Sequence, residues 1–294
     1  MTDLAAIRRR FAARMMSIAR VSDDRIEDAF SRVARESFAG PPPWTLYSDR
    51  ERAGAPDDPA SLYADVLVAL DPAQGVNNGS PSLHALMLHR LGVRPGDHVL
   101  HAGVGTGYYT AILAHLVGTE GSVTAIEYDK TLAGRARDNL SGWPNAIVLE
   151  GDAAMPPDRR YDRIYVNFAV AQPSMHWLDR LPTGGTLVFP LGTPPPGRHA
   201  RHTQHCALLR ITATRLGFAV RYVSPCGFVF AQGPLAGDAA LRAQLREAFI
   251  RDGIEFVQSL RRAERNQPPP PDRAWFWTPE WSLSYDPPKL GRRD

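Results

Sequence analysis

The chain has 294 residues, 44% of them hydrophobic and 22% charged, a balance that supports a globular core and excludes wholesale disorder. Its 34 basic and 31 acidic side chains leave a net charge of only +3, which marks no nucleic-acid face; every basic residue except Lys130 and Lys289 is arginine. No apolar run reaches the roughly 20 residues needed to cross a bilayer, so no membrane partner is expected.

Two cysteines, Cys206 and Cys226, form neither a CxxC metal pair nor a disulfide framework. They suit a reducing compartment and leave one isolated disulfide open. Met1 to Arg20 is Arg-rich but lacks the continuous apolar centre of a signal peptide, so it reads as a native helix of a cytoplasmic protein.

Taken in chain order, Ile7, Phe11, Met15 and Ile18 form one helical stripe. Ile26, Phe30 and Val33 form a second, after a start signal at Asp23 and Asp24. The Pro/Gly/Asp-rich stretch from Gly40 to Ala60 reads as linker, and QGVNNGSPS at 74–82 as a polar turn. A helix with Leu83, Leu86, Met87 and Leu91 then leads to an RPGD turn. From His98 onward strands alternate with helices of about ten residues, the pattern of a parallel sheet with helices on both faces. Ala207–Thr212, Phe218–Val223 and Phe228–Ala231 read as further strands of it. Leu241, Leu245, Phe249, Val257 and Leu260 suggest one C-terminal helix, and the tail carries PPPP at 268–271 with Trp275, Trp277 and Trp281. The organisation expected is therefore 1–60 for N-terminal helices and linker, 61–234 for the main domain, and 235–294 for a C-terminal helix and Pro/Trp-rich tail.

The most informative stretch is HVLHAGVGTGYYTA at 98–111, where a strand enters Gly103-Val-Gly105-Thr-Gly107 and a helix leaves it. Glycines permit a sharp turn and close approach of the backbone to a ligand. The dinucleotide fingerprint would need glycine at 108, where Tyr108 stands, so S-adenosylmethionine is favoured over NAD and an oxidoreductase is disfavoured. The next strand ends in Glu127, placed to accept the ribose hydroxyls of a nucleoside. One strand further, Gly151-Asp152-Ala153 puts an acid where an adenine amine would lie. Glycine loop, ribose acid and adenine acid fall at three successive strand ends.

These motifs resemble the protein-L-isoaspartate O-methyltransferase family of class I methyltransferases. The likeness runs from VSDDRIEDAFSRVARESF at 21–38 through RPGDHVLHAGVGTGYYTAILA, AIEYD, LEGDA, YDRIYVNFAV and LPTGGTLVFPLG to SPCGFVFA at 224–231. It implies an α/β fold, a doubly wound and mostly parallel seven-stranded Rossmann-like methyltransferase sheet. It further implies S-adenosyl-L-methionine contacts at Gly103, Gly105, Gly107, Glu127 and Asp152, with His101, Tyr108 and Ala153 beside them. Two positions depart from the family pattern: His101 replaces an acid in the strand before the first glycine, and Gly79 stands where the family's loop has a serine. Ser80, one residue on, is the substitute at hand.

Methyl transfer from a sulfonium needs alignment of nucleophile, carbon and leaving group. A carboxylate acceptor is ionised at pH 7 and needs no general base, and no metal-ligand pattern flanks the glycine loop. His199, His202 and His205 recur every third residue but no cysteine or acid joins them, so no metal is expected. Ser80 and Asn78, with Asn77, are candidate contacts for a carboxylate or amide, although NNGSPS is also ordinary turn chemistry. Asn167 ends the YDRIYVNF strand, at the carboxyl end where parallel sheets bind ligands. The expected activity is O-methylation of a carboxylate in an isoaspartyl protein or peptide. A related transferase with another peptide or small-molecule acceptor, or a binding protein that holds the cofactor without transfer, are the alternatives.

Overall fold

A computed structural model of the chain describes residues 3–48, 51–197, 201–263 and 272–288. Its contacts divide it into two compact units, Met1–Ala153 and Ala154–Asp294. PPPP at 268–271 and His199 lie outside the described residues.

The first unit opens with three helices, α1 (Leu4–Ala19), α2 (Asp24–Arg32) and α3 (Glu36–Ala39). Asp3 caps α1 through the Ala6 amide, and Asp23 caps α2 through the amides of Arg25 and Ile26, satisfying donors that a helix start leaves open. Phe11, Met15, Ile26, Phe30 and Val33 are buried, whereas Ile18 at the end of the α1 stripe stays exposed. The stretch read as linker contains structure: β1 (Leu46–Ser48) and β2 (Glu51–Gly54) join β3 (Leu67–Asp71) and β4 (Val76–Asn77) in an antiparallel sheet of order β2-β1-β3-β4. Ala39, Trp44, Leu46, Leu62 and Val68 form the small core there. Burial of these scattered apolar residues overrides the local Pro/Gly signal.

Helix α4 (Pro81–Leu91) follows, with Ser80 as N-cap, Pro81 at its first position and Gly92 in the left-handed region at its end. Three parallel strands complete the unit: β5 (His98–Ala102), β6 (Ser122–Glu127) and β7 (Ala146–Glu150), in that order. Helix α5 (Tyr108–Val117) connects the first pair, and α6 (Lys130–Asn139), capped by Asp129, connects the second. Nine of the ten α5 residues are buried, so α5 reads as continuously apolar.

The second unit begins with β8 (Arg163–Val166), α7 (Met175–Arg180) and β9 (Thr186–Thr193), with β8 and β9 parallel. β10 (His205–Thr214) and β11 (Gly217–Pro225) extend this pair antiparallel. Phe228–Ala231, expected as a strand, makes only single bridges, Ala169 with Phe230 and His202 with Val229. Helix α8 (Ala239–Arg251) is shorter than the apolar pattern suggested, because Asp252 at φ 65° and Gly253 at φ 90° turn the chain out of it. Leu260 consequently lies in a strand, β12 (Ser259–Arg262), which pairs with β11 and with β14 (Trp281–Ser284), itself paired with β13 (Ala274–Trp277). The aromatic tail thus supplies an edge strand, β13, and its neighbour β14. Trp275 and Trp281 are buried within this unit, Trp275 edge-on to Phe249 at 5.2 Å and Trp281 tilted against Phe276 at 5.2 Å.

Candidate active site

The carboxyl end of β5 runs into the glycine loop, and Gly107 at φ 100° opens α5. A side chain at Gly105 (φ 59°) would press on Leu70 Cδ1 at 2.8 Å, and one at Gly107 would meet Leu140 at 3.0 Å. Both positions therefore favour glycine for conformation, and a side chain at either would have to displace a leucine. The Gly103 amide donates to the Ile126 carbonyl at 2.9 Å, tying the loop to the neighbouring strand.

Glu127 ends β6 almost wholly buried. Its Oε2 accepts from the Gly105 amide at 2.7 Å and its Oε1 from the Asp129 amide at 3.1 Å. Burial raises its pKa above the usual carboxylate value, and the backbone donors of Asp129, Gly105 and Tyr128 act in the opposite direction. Each oxygen retains acceptor capacity after these bonds, so the carboxylate fits a nucleoside cofactor whose ribose hydroxyls donate. The Gly151 amide donates to the Glu127 carbonyl at 2.9 Å. Asp152, half-buried, and Ala153, buried, follow directly, beside the acid that ends β6.

His101 is fully buried in β5, with Nδ1 2.9 Å from Thr110 Oγ1. Burial pushes its pKa down to about 3, so a neutral imidazole stands where the resembled family has an acid. Tyr108 packs into the core, edge-on to Phe38 at 5.9 Å, Phe30 at 6.3 Å and Tyr109 at 5.0 Å.

The 76–82 loop is held by side chains. Asn77 Oδ1 accepts from the Gly79 amide at 2.9 Å, and the buried Asn78 Oδ1 accepts from the Val68 amide at 2.8 Å. Ser80 Oγ donates to Asp65 Oδ1 at 2.8 Å. Gly79, at φ 77°, lies directly against His84: a Cβ there would overlap Nε2 and stand 2.9 Å from Cδ2. His84 is itself buried and stacked on Tyr109, with ring centroids 3.6 Å apart and planes 9° apart. The serine-to-glycine departure thus has a steric partner five residues away, which the sequence alone did not reveal.

The first unit contains the glycine loop, Glu127, Asp152, His101, Asn78 and Ser80, and it joins Glu127 directly to the glycine loop. Asn167 belongs to the second unit, half-buried immediately after β8. His205 stacks on Phe249 with centroids 5.9 Å apart. Cys206 and Cys226 are free thiols with Sγ atoms 3.4 Å apart. Arg35 falls inside the VSDDRIEDAFSRVARESF stretch, but its bonding role, like those of Asp65 and His84, is not announced by any local motif.

Parallel strands crossed by helices, a glycine loop at one strand end and acids at the next two define a Rossmann-like S-adenosylmethionine-dependent methyltransferase. The chain belongs to the protein-L-isoaspartate(D-aspartate) O-methyltransferase family, whose model matches residues 13–223. Among similar proteins, the protein-L-isoaspartate O-methyltransferase of Methanopyrus kandleri is 32% identical over 210 residues, covering 70% of this chain and 82% of that one. That of Hyperthermus butylicus is 30% identical over 249 residues, covering 80% and 90%. A solved protein-L-isoaspartate O-methyltransferase shares the fold with a TM-score of 0.63 at 23% identity, covering 85% of this chain and 72% of that one. Another, from Plasmodium falciparum in complex with S-adenosyl-L-homocysteine, has a TM-score of 0.59 at 18% identity, covering 76% and 98%. No helix among the described residues is long and apolar enough to cross a membrane.

Proposed function

We propose that this chain transfers the methyl group of S-adenosylmethionine to the free carboxylate of an isoaspartyl residue in a protein or peptide. The observation that carries the reading is Glu127, a buried carboxylate at a strand end bonded to the glycine-loop amide of Gly105. Family membership supplies the acceptor class.

In this reading Glu127 takes the ribose hydroxyls, Asp152 the adenine amine beside Ala153, and Gly103, Gly105 and Gly107 leave the backbone bare against the cofactor. His101 contributes no charge to the amino-acid end, and Tyr108 supports the loop from the core. When bound, S-adenosylmethionine supplies a methyl carbon already activated by its sulfonium. The work left to the protein is alignment and exclusion of water, since an ionised carboxylate has no proton to surrender. Asn78 is assigned to acceptor binding, and Ser80 to shaping the acceptor loop. Residues 61–234 carry the transfer, with 1–60 and 235–294 as flanking segments. The two thiols accord with a reducing, cytoplasmic setting.

One observation favours a second reading. Gly79 removes a loop side chain and His84 prevents its return, which suits a related transferase with a different peptide or small-molecule acceptor. Incubation with methyl-labelled S-adenosylmethionine and an isoaspartyl peptide, followed by mild base, tests the choice. Base-labile label on the peptide is expected of a carboxyl ester. Cofactor binding without peptide labelling would overturn the isoaspartyl reading.

A further inference from the structure

We propose that Asp65, held in place by the buried guanidinium of Arg35, is a positioning residue for the methyl acceptor. The proposal rests on the 76–82 loop being the acceptor loop, as read above.

Arg35 lies between α2 and α3 and is 1% exposed. It donates to the carbonyls of Leu62, Ala64 (3.1 Å) and Val66 (2.6 Å) and to Asn78 Oδ1 at 3.4 Å. The rings of Phe11 and Tyr108 lie 5.9 Å from its guanidinium carbon. All four hydrogen-bond partners are carbonyl or amide oxygens, so the cation is buried to fix backbone and not to neutralise an acid. The Ala64 carbonyl belongs to the peptide group that enters Asp65 and the Val66 carbonyl to the one that follows Val66, so holding both pins the chain on either side of Asp65.

The Asp65 carboxylate then reaches the start of α4 three times. Oδ1 accepts from Ser80 Oγ at 2.8 Å and from the Ser82 amide at 3.0 Å, and Oδ2 accepts from Ser82 Oγ at 2.5 Å. These bonds join segments 15 and 17 residues apart in the chain. A serine hydroxyl has one proton, and in Ser80 it is spent on Asp65. Ser80 therefore offers an incoming carboxylate no donor while Asp65 holds it. Asn78 is fixed through the oxygen of its amide, by Arg35 and by the Val68 amide at 2.8 Å, which leaves its two N–H donors for the acceptor. The loop is thus sorted into an anchored serine and a donating asparagine, and Asp65 and Arg35 do the sorting.

The test uses the full-length protein and the variants Asp65→Ala, Asp65→Asn and Arg35→Lys. Binding of S-adenosylmethionine is measured by equilibrium dialysis, and kcat and KM with an isoaspartyl peptide. Asp65→Ala is expected to raise the peptide KM by about tenfold or more, as loss of bonds to a charged group should, with cofactor affinity within about threefold of wild type. Asp65→Asn, which keeps one acceptor oxygen, should recover part of the loss and carries the test if the alanine variant does not fold. An unchanged peptide KM, or cofactor affinity falling in step with it, would overturn the proposal. If the wild-type protein methylates no isoaspartyl peptide, the functional reading fails and the anchoring is read by amide exchange. Faster exchange at Ser82 in Asp65→Asn, with the Gly105 amide unchanged, then supports Asp65 as the anchor, and equal exchange at Ser82 overturns it.

Discussion

The Gly105 amide donates to Glu127 Oε2 at 2.7 Å, across 22 residues of sequence. The acid at the end of β6 is therefore also the strut that shapes the glycine loop after β5. Removing it should damage cofactor binding twice, through the lost ribose contact and the released loop. Glu127→Ala is expected to weaken S-adenosylmethionine binding by about 100-fold, the scale of losing two charge-assisted hydrogen bonds of ~1.5 kcal/mol each. Glu127→Gln, which keeps one acceptor oxygen for Gly105, should lose less. Titration of cofactor binding to each variant checks the order.

Two glycines, one opening α5 and one inside α6, should respond oppositely to alanine. Gly107 sits at φ 100° and an alanine methyl there would stand 3.0 Å from Leu140, so Gly107→Ala should cost about 1–3 kcal/mol of stability. Gly134 lies inside α6, and an alanine methyl there would meet nothing within 4 Å outside its own helix and chain neighbours. Gly134→Ala should stabilise by about 0.5–1 kcal/mol. Urea denaturation of the pair measures both signs.

Restoring the family's serine at position 79 should not restore anything. Gly79 has φ 77° and faces the His84 ring, which is clamped on Tyr109. Gly79→Ser is expected to cost about 2–3 kcal/mol of stability and to leave peptide methylation no higher than wild type. Gly79→Ser combined with His84→Ala should cost less than the sum of the two single changes, because the alanine vacates the space. A double-mutant cycle on unfolding free energy reads that coupling.

Buried imidazoles set an acid limit on stability. Burial lowers the pKa of His101 to about 3, and it lowers that of His84 well below the usual value, with His101 and Arg35 adding to the effect. The unfolded chain binds these protons near pH 6.5 and the folded chain does not. Their contribution to stability is therefore complete above about pH 6.5 and is lost as pH falls from there toward the folded-state values. Each histidine should add up to about 1.4 kcal/mol per pH unit to the slope in that window. His101→Asn is expected to flatten the decline between pH 6 and 5, followed by denaturant midpoints across that range.

The residues legible in the sequence are those whose signal is local. Gly103, Gly105 and Gly107 declare themselves because a strand-to-helix turn at positive φ demands glycine. Glu127 and Asp152 follow because parallel strands repeat at a regular interval and their carboxyl ends share one edge. The roles of Arg35 and Asp65 were not legible, although Arg35 sits in a motif the sequence displays: their bonds span 15 to 43 residues and any buried oxygen would serve as partner. The strands β1 and β2 were hidden in a stretch rich in proline and glycine, where a few apolar residues such as Trp44 and Leu46 decide the outcome by burial. The tail was misread differently. Val257 and Leu260 continue a helical count on paper, but the left-handed turn at Asp252 and Gly253 ends α8 and sends Leu260 into a sheet.

The most direct test of the account compares two peptides that differ only in one linkage, isoaspartyl against normal aspartyl, with labelled S-adenosylmethionine as methyl donor. The account predicts label on the isoaspartyl peptide alone, lost when Glu127 is replaced by alanine. Equal labelling of both peptides, or label on neither while the cofactor binds, would contradict it.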